Sequence, residues 1–110
     1  MSVERRERIR TLNDQLRQTH VGGRILMTQG VMSMGPEGVV GAMLAIAKAN
    51  DFNEDNDPYG EHDFGAVTVS GHRVFWKIDY YDQSLSSQAV DPSDAKDCVR
   101  VLTVMLAEEY

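Results

Sequence analysis

The chain has 110 residues, a net charge of −6 and one cysteine, Cys98. This length suits a single domain spanning residues 1–110. One cysteine excludes an intramolecular disulfide and a cysteine-based zinc site, and the acidic balance argues against sequence-specific nucleic-acid binding. The charged opening residues carry no apolar signal segment, and no apolar run reaches the roughly 18 residues of a membrane span. We therefore expect a cytoplasmic protein without membrane contact.

The first predicted elements are a helix and a strand. Ile9, Leu12 and Leu16 recur at helical spacing, which predicts a helix over Val3–Thr19. A strand over Arg24–Val31 follows the two consecutive glycines that end this helix. The charged remainder of the helix indicates that only a narrow stripe of it is buried.

A second helix is predicted to start at Gly35-Pro36 and to run to about Asn50, because proline is favoured at the first helical position. Its buried stripe consists of Val39, Val40, Met43, Leu44 and Ala47. The polar, turn-rich segment Asp51–Gly60 then predicts a loop, with Asp57-Pro58 and Gly60 as helix- and strand-breaking residues.

The best-defined element is a β-hairpin with strands over Phe64–Ser70 and Arg73–Tyr81. Glycine as the first of the two intervening residues, Gly71-His72, predicts a type II′ turn. This turn fixes a register whose core side pairs Val69 with Val74, Val67 with Trp76, and Gly65 with Ile78. The glycine would leave room for close packing by a neighbouring group.

The opposite side of the predicted hairpin carries aromatic and charged residues. The same register pairs Thr68 with Phe75, Ala66 with Lys77, Phe64 with Asp79, and His62 with Tyr81. Either this side is a binding surface, or a helix covers it and Lys77 and Asp79 form an ion pair at its rim. The first helix is the expected cover, because its apolar stripe is narrow.

The last segment has two interpretations. Asp91-Pro92-Ser93-Asp94 has the residues of a helix start, and Cys98, Val101, Leu102, Met105 and Leu106 then form one side of a final helix. Residues Arg100–Leu106 also alternate as a strand would. We prefer the helix, which gives an α+β domain in the order α-β-α-β-β-α: three helices on a three-stranded, mostly antiparallel sheet.

The acidic loop is the first candidate for chemistry. Asp51, Asn53, Asp55 and Asp57 place oxygen atoms at alternate positions, as in an EF-hand calcium loop. However, Asn56 stands where that motif needs glycine and His62 where it needs glutamate. The favoured interpretation is a solvated loop whose Asp and Asn side chains make local turns. The alternative is a divalent-cation site built from Asp55, Asp57, Glu61, His62 and Asp63.

The second candidate is the tripeptide Glu61-His62-Asp63, in which a histidine between two carboxylates could serve as a tuned acid or base. One histidine is a poor basis for a metal site, which usually has three or four ligands. The favoured interpretation is structural, with Asp63 accepting hydrogen bonds near Tyr80 where the strand begins. No nucleophile-elbow motif, phosphate loop or dinucleotide fingerprint is present, and the loop serines Ser84, Ser86 and Ser87 have no visible base partner. We therefore expect neither a catalytic residue nor a cofactor.

Three stretches carry a family resemblance: EDNDPYGEHDFG from Glu54, FWKIDYYD from Phe75 and RVLTVMLAEEY from Arg100, with shorter matches at Arg10–Asp14 and Gly22–Arg24. They resemble a domain-of-unknown-function family of short alphaproteobacterial proteins that are often encoded on plasmids and other mobile elements. The resemblance covers nearly the whole chain and implies no activity.

These observations favour a non-enzymatic module that binds a protein partner. The mobile-element association suggests an inhibitor of a host nucleic-acid-handling or defence complex, comparable to an anti-CRISPR protein, with its acidic surface mimicking phosphate charge. The predicted contact residues are His62, Phe64, Phe75, Lys77, Asp79, Tyr81, Asp55, Asp57 and Glu61. The alternatives are a metal-assisted enzyme that uses the acidic loop, and a homodimer formed through the hairpin face.

Overall fold

The computed structural model describes residues 2–110. The first predicted helix forms over its predicted residues, Val3–Thr19. The predicted helix that starts at Gly35 ends at Lys48, two residues before its predicted end. In chain order the elements are α1 (Val3–Thr19), β1 (Gly23–Met27), α2 (Gln29–Met32), α3 (Gly35–Lys48), β2 (Phe64–Val69), β3 (His72–Tyr81), β4 (Val99–Leu106) and a final 3₁₀ turn (Ala107–Glu109). The predicted strand over Arg24–Val31 is shortened because the Thr28 side chain accepts from the Val31 amide and begins α2.

The sheet has four strands in the order β1-β4-β3-β2, so the prediction of a three-stranded sheet is wrong. β2 and β4 both run antiparallel to β3, whereas β1 runs parallel to β4. The sheet is therefore mixed. The parallel pair joins the first strand of the chain to its last one, a connection that local sequence patterns do not encode.

The extra strand is β4, where a helix was the preferred prediction. Its residues Val99–Leu106 lie between β1 and β3 and are buried on both faces of the sheet, which explains their nearly continuous apolar run. The supposed helix start forms turns instead: the Asp91 carboxylate accepts from the amide and hydroxyl of Ser93 at 3.0 and 2.6 Å. The strand interpretation of this segment is the correct one.

The hairpin forms, but its predicted turn is displaced by one residue and its predicted register is wrong by two. Ser70 and Gly71 occupy the turn with φ of 50° and 81°, the type I′ pattern of two positive values. The pairs are consequently Val69–His72, Val67–Val74, Gly65–Trp76, Ala66–Phe75 and Phe64–Lys77. Side chains alternate with a period of two, so this shift leaves every residue on its predicted face.

The three helices lie on one face of the sheet. Leu16 of α1, Val31 of α2, and Ala42, Met43 and Ile46 of α3 are buried there against Val74, Trp76, Ile78, Leu102 and Val104. The prediction that α1 covers the aromatic face of the hairpin is therefore wrong, because α1 packs on the opposite side. The segment Ala49–Asp63 connects α3 to β2 and runs close to α1.

Candidate functional site

The sheet has an open face that the core does not use. The strand registers place on it the alternate residues Arg24 and Leu26 of β1, Phe64, Ala66 and Thr68 of β2, Arg73, Phe75, Lys77, Asp79 and Tyr81 of β3, and Val99, Val101, Thr103 and Met105 of β4. None of these residues belongs to the helix-packed core described for residues 2–110, although Val101 and Met105 of the central strand are only 6% and 5% exposed. We refer to this set as the open face.

An aromatic cluster occupies the β2–β3 part of the open face. The rings of Phe64 and Phe75 lie 5.6 Å apart, and the ring of Tyr110 lies 5.8 and 5.6 Å from them. All three pairs meet edge to face, an arrangement that is worth about 0.5–1.5 kcal/mol per pair beyond buried area. Tyr110 is nevertheless 74% exposed, so the cluster presents an aromatic surface to solvent.

The predicted charged residues of the hairpin lie beside this cluster. Lys77 Nζ and Asp79 Oδ2 are 3.2 Å apart, and each side chain is about 40% exposed. Tyr81 is half-buried and forms an isolated bridge with Gln88. Of the nine predicted contact residues, Phe64, Phe75, Lys77, Asp79 and Tyr81 therefore share the open face. Asp55 is exposed in the connecting loop, away from the sheet.

The other predicted contact residues, Asp57, Glu61 and His62, turn towards α1. The His62 ring stacks on Phe52 at 3.8 Å between centroids. Its Nδ1 lies 2.9 Å from Asp14 Oδ1, and its Nε2 lies 3.7 Å from the buried carboxylate of Asp57. His62 therefore links α1 to the loop through Nδ1, whereas Nε2 lies beyond hydrogen-bond distance from Asp57.

Glu61 belongs to a hydrogen-bonded network centred on the fully buried Asn13. The Asn13 amide donates to Tyr80 Oη at 2.8 Å and to the Glu61 carbonyl at 3.0 Å, while its oxygen accepts from Arg100 Nε at 2.8 Å. The Tyr80 hydroxyl in turn donates to Glu61 Oε1 at 2.8 Å. Arg100 also donates to the Pro92 carbonyl. The network satisfies buried polar groups from four segments of the chain.

Arg17 performs a similar structural role at the end of α3. Its guanidinium is 2% exposed and donates to the carbonyls of Ile46 and Ala49, each at 2.8 Å. It also forms an ion pair with Asp14 at 2.9 Å. These contacts satisfy C-terminal carbonyls of the helix and place a positive charge at the negative end of its dipole.

The sequence interpretation missed Asn13, Arg17 and Arg100 as buried polar residues. A signal for Asn13 and Arg17 was present, because their spacing from Ile9 and Leu16 places them on the buried stripe of α1. Arg100 carries no such signal while its segment is interpreted as a helix. In β4 it shares the core face with Leu102 and Val104.

Burial changes two pKa values at this end of the sheet. It raises the pKa of Asp63 from 3.8 to about 6, with a further contribution from the negative charge of Glu61. Burial likewise raises the pKa of Tyr80, keeping its hydroxyl protonated as the donor to Glu61. The predicted hydrogen bond between Asp63 and tyrosine is not formed, since Tyr80 donates to Glu61 instead. The structural interpretation of this tripeptide thus holds through a different residue.

The five residues of the alternative metal site do not converge. In residues 2–110, no group of three or more His, Cys, Asp or Glu side chains is placed to hold a metal ion. The loop makes local turns, as the favoured interpretation predicted: Asn53 Oδ1 accepts from the amide of Asp55 at 2.8 Å, and Asn56 Oδ1 accepts from that of Asn53 at 2.8 Å. Pro58 and the turn at Gly60 then direct the chain back to α1.

The fold and these sites define a small α+β domain with one helix-covered and one open sheet face. No helix in residues 2–110 has the length and apolar character needed to cross a membrane. The chain belongs to a protein family of unknown function, DUF3768, whose profile matches residues 27–109. Neither the curated proteins nor the solved structures contain a significant match to the chain.

Proposed function

We propose that this protein is a non-enzymatic interaction module that binds a protein partner on its open face. The observation that carries the proposal is the aromatic cluster of Phe64, Phe75 and Tyr110 on a sheet face that no helix covers in residues 2–110. Aromatic residues are enriched among the side chains that dominate binding energy at protein interfaces.

The charges around the cluster suit a protein partner better than a nucleic acid. Lys77 is already paired with Asp79, whereas Arg24 and Arg73 are exposed on the open face and form no salt bridge within residues 2–110. A nucleic-acid platform would combine its stacking rings with unpaired basic groups that contact phosphates. On a chain with a net charge of −6, these two arginines form only a small basic surface, which favours a protein partner.

A narrower form of the proposal is that the partner is a nucleic-acid-handling or defence complex encoded by the host, and that binding inhibits it. Its support is the resemblance to proteins carried on mobile elements, together with the exposed carboxylates Asp51, Glu54 and Asp55. Asp57 and Glu61 are less suited to mimic phosphates, because the Asp57 carboxylate accepts from the His62 amide and the Glu61 carboxylate accepts from the Tyr80 hydroxyl.

The test is affinity capture of the tagged protein from host lysate with two matched variants. The face variant combines Lys77→Ala, Asp79→Ala and Tyr110→Ala. The control variant makes the same three chemical deletions at exposed positions to which no partner contact is assigned: Lys96→Ala, Asp97→Ala and Tyr59→Ala. Both should retain the wild-type circular dichroism spectrum and unfolding midpoint.

A protein retained by the wild type and the control but lost by the face variant supports the proposal. Equal capture by both variants contradicts it, and so does a captured component that nuclease treatment removes. Capture of a second copy of the chain by the wild type and the control, but not by the face variant, would favour the homodimer formed through the hairpin face. Reversal of Asp51, Glu54 and Asp55 to lysine tests the mimicry, since retention of the partner by this variant overturns it.

A further inference from the structure

A second exposed apolar surface lies on α3, on the side of the sheet opposite to the open face. Val40 and Leu44 are 57% and 54% exposed. They border a shallow depression of about 420 Å³, which Pro36, Glu37 and Gly41 also line. The other side of the helix supplies Ala42, Met43 and Ile46 to the core. Our interpretation of Val40 and Leu44 as part of a buried stripe was therefore wrong.

The residues along this exposed side follow the spacing of a helix–helix contact. Glu37, Gly41, Leu44 and Lys48 are separated by four, three and four positions. This is the alternation of a and d positions in a coiled-coil heptad, which places all four residues along one narrow stripe, with Gly41 at its edge beside Val69. Val40 flanks the stripe. Val40 and Leu44 are therefore the exposed apolar side chains that a second helix would bury here.

The charges at the two ends of the stripe are complementary when the helix meets a second copy of itself. Glu37 lies in the first turn and Lys48 in the last turn of α3, both are exposed, and neither forms a salt bridge within residues 2–110. In an antiparallel pair, Glu37 of each copy meets Lys48 of the other. A parallel pair would instead place like charges together.

The register that joins these charges also suits the apolar residues. The midpoint between Glu37 and Lys48 along the helix lies between residues 42 and 43, and the midpoint between Gly41 and Leu44 is the same. Leu44 of one copy therefore lies opposite the backbone of Gly41 of the other, whose Cβ position faces Val69 of its own chain at 3.1 Å from Cγ1. An antiparallel coiled coil forms layers of this kind between a and d positions.

We propose that α3 is a self-association helix that joins two copies of this chain in an antiparallel pair. The contact uses one helix from each copy, so it falls at the small end of specific interfaces and gives a weak dimer with a dissociation constant in the micromolar range, about 10⁻⁶–10⁻⁴ M. Because α3 lies on the helix-covered side of the sheet, both open faces stay accessible in the dimer.

A charge-swap experiment tests this surface specifically. Sedimentation equilibrium of the whole chain, from about 1 µM to about 1 mM, covers the range in which such a dimer dissociates. Wild type is compared with Glu37→Lys, Lys48→Glu and the double variant that carries both. Lys96→Glu serves as a control for charge reversal at another exposed position, and circular dichroism confirms folding of each variant.

Each single swap places like charges at both ends of the helix pair, and we expect it to weaken the dimer at least tenfold. The double variant restores opposite charges and should recover an affinity close to that of the wild type. A wild type that is monomeric over the whole range overturns the proposal. So does a double variant no better than the singles, or a Leu44→Lys variant that dimerises as well as wild type.

Discussion

The guanidinium of Arg17 donates to the Ile46 carbonyl at 2.8 Å and thereby joins the last turn of α1 to the last turn of α3. The same group lies 5.2 Å from the centroid of the Phe52 ring and 5.7 Å from that of Trp76. A buried cation therefore holds together two helices, the loop that follows α3, and the centre of the sheet. This contact explains why the buried stripe of α1 contains a charged side chain.

Replacement of Arg17 by alanine should strongly destabilise the protein. The change leaves the carbonyls of Ile46 and Ala49 without their donor and Asp14 without its ion-pair partner. Loss of one partner of a buried charged contact costs about 3 kcal/mol or more. Urea unfolding measures the loss, and Arg8→Ala, an exposed position on the same helix, should change stability by less than about 0.5 kcal/mol. Equal effects of the two changes would show that the buried contacts of Arg17 contribute little.

The Asn13 network makes a second prediction. Asn13→Ala removes one acceptor from Arg100 and two donated bonds, to Tyr80 and to Glu61. We expect a loss of about 2–3 kcal/mol, because the buried Arg100 guanidinium is left partly unsatisfied. Tyr80→Phe removes only the hydroxyl and should cost about 1–2 kcal/mol.

The coupling between these two sites can be measured with a double-mutant cycle. Asn13 and Tyr80 share a direct hydrogen bond, so the double variant should be less destabilised than the sum of the single variants. Strict additivity in urea unfolding would contradict a direct contribution of that bond.

Asp63 predicts a pH dependence of stability. Its pKa rises from 3.8 to about 6 on folding, mainly because it is buried. At a pH below 3.8 the Asp63 carboxyl is protonated in both the folded and the unfolded chain. Between pH 3.8 and about 6 it stays protonated in the folded chain but has lost its proton in the unfolded chain. The free energy of unfolding therefore falls as the pH rises through this window, and the stabilisation from Asp63 is lost above it.

Asp63→Asn should remove this contribution. A shift of this size amounts to about 3 kcal/mol for a fully buried group, and partial exposure of Asp63 reduces the expected effect to about 1 kcal/mol. The variant should thus become more stable than the wild type by about that amount at about pH 8, with the gain disappearing towards about pH 4. Asp55→Asn, at an exposed position, is the control. A constant difference between Asp63→Asn and wild type at every pH would disprove the titration.

Gly65 predicts a steric effect that tryptophan fluorescence can report. A Cβ atom at this position would lie 2.5 Å from Nε1 and 2.6 Å from Cε2 of Trp76. Gly65→Ala should therefore displace the indole ring and cost about 1–3 kcal/mol. Trp76 is the only tryptophan of the chain, so its emission spectrum measures the displacement directly. Ala66→Ser, on the opposite face of the same strand, should leave the spectrum unchanged, and an unchanged spectrum in Gly65→Ala would refute the steric argument.

The sequence by itself determined those features that depend on neighbouring residues. The spacing of Ile9 and Leu16 defined α1 and its buried stripe. Alternation along β2 and β3 assigned each hairpin residue to the correct face, even though the turn was misplaced, because a shift of two residues preserves the alternation. The aromatic content of the open face was therefore predictable, and the Asn and Asp turns of the loop were predicted correctly.

Only the tertiary structure decided what depends on distant partners. Val99–Leu106 is a strand because β1 and β3 supply hydrogen bonds to both of its edges, and a buried central strand has the same apolar run as a buried helix segment. The same holds for two other features. His62 faces Asp14 and Asp57, and α1 packs on the face of the sheet opposite to the open face. The shape of the assembled sheet decides where a helix packs. These contacts join residues far apart in sequence, where packing outweighs local preference.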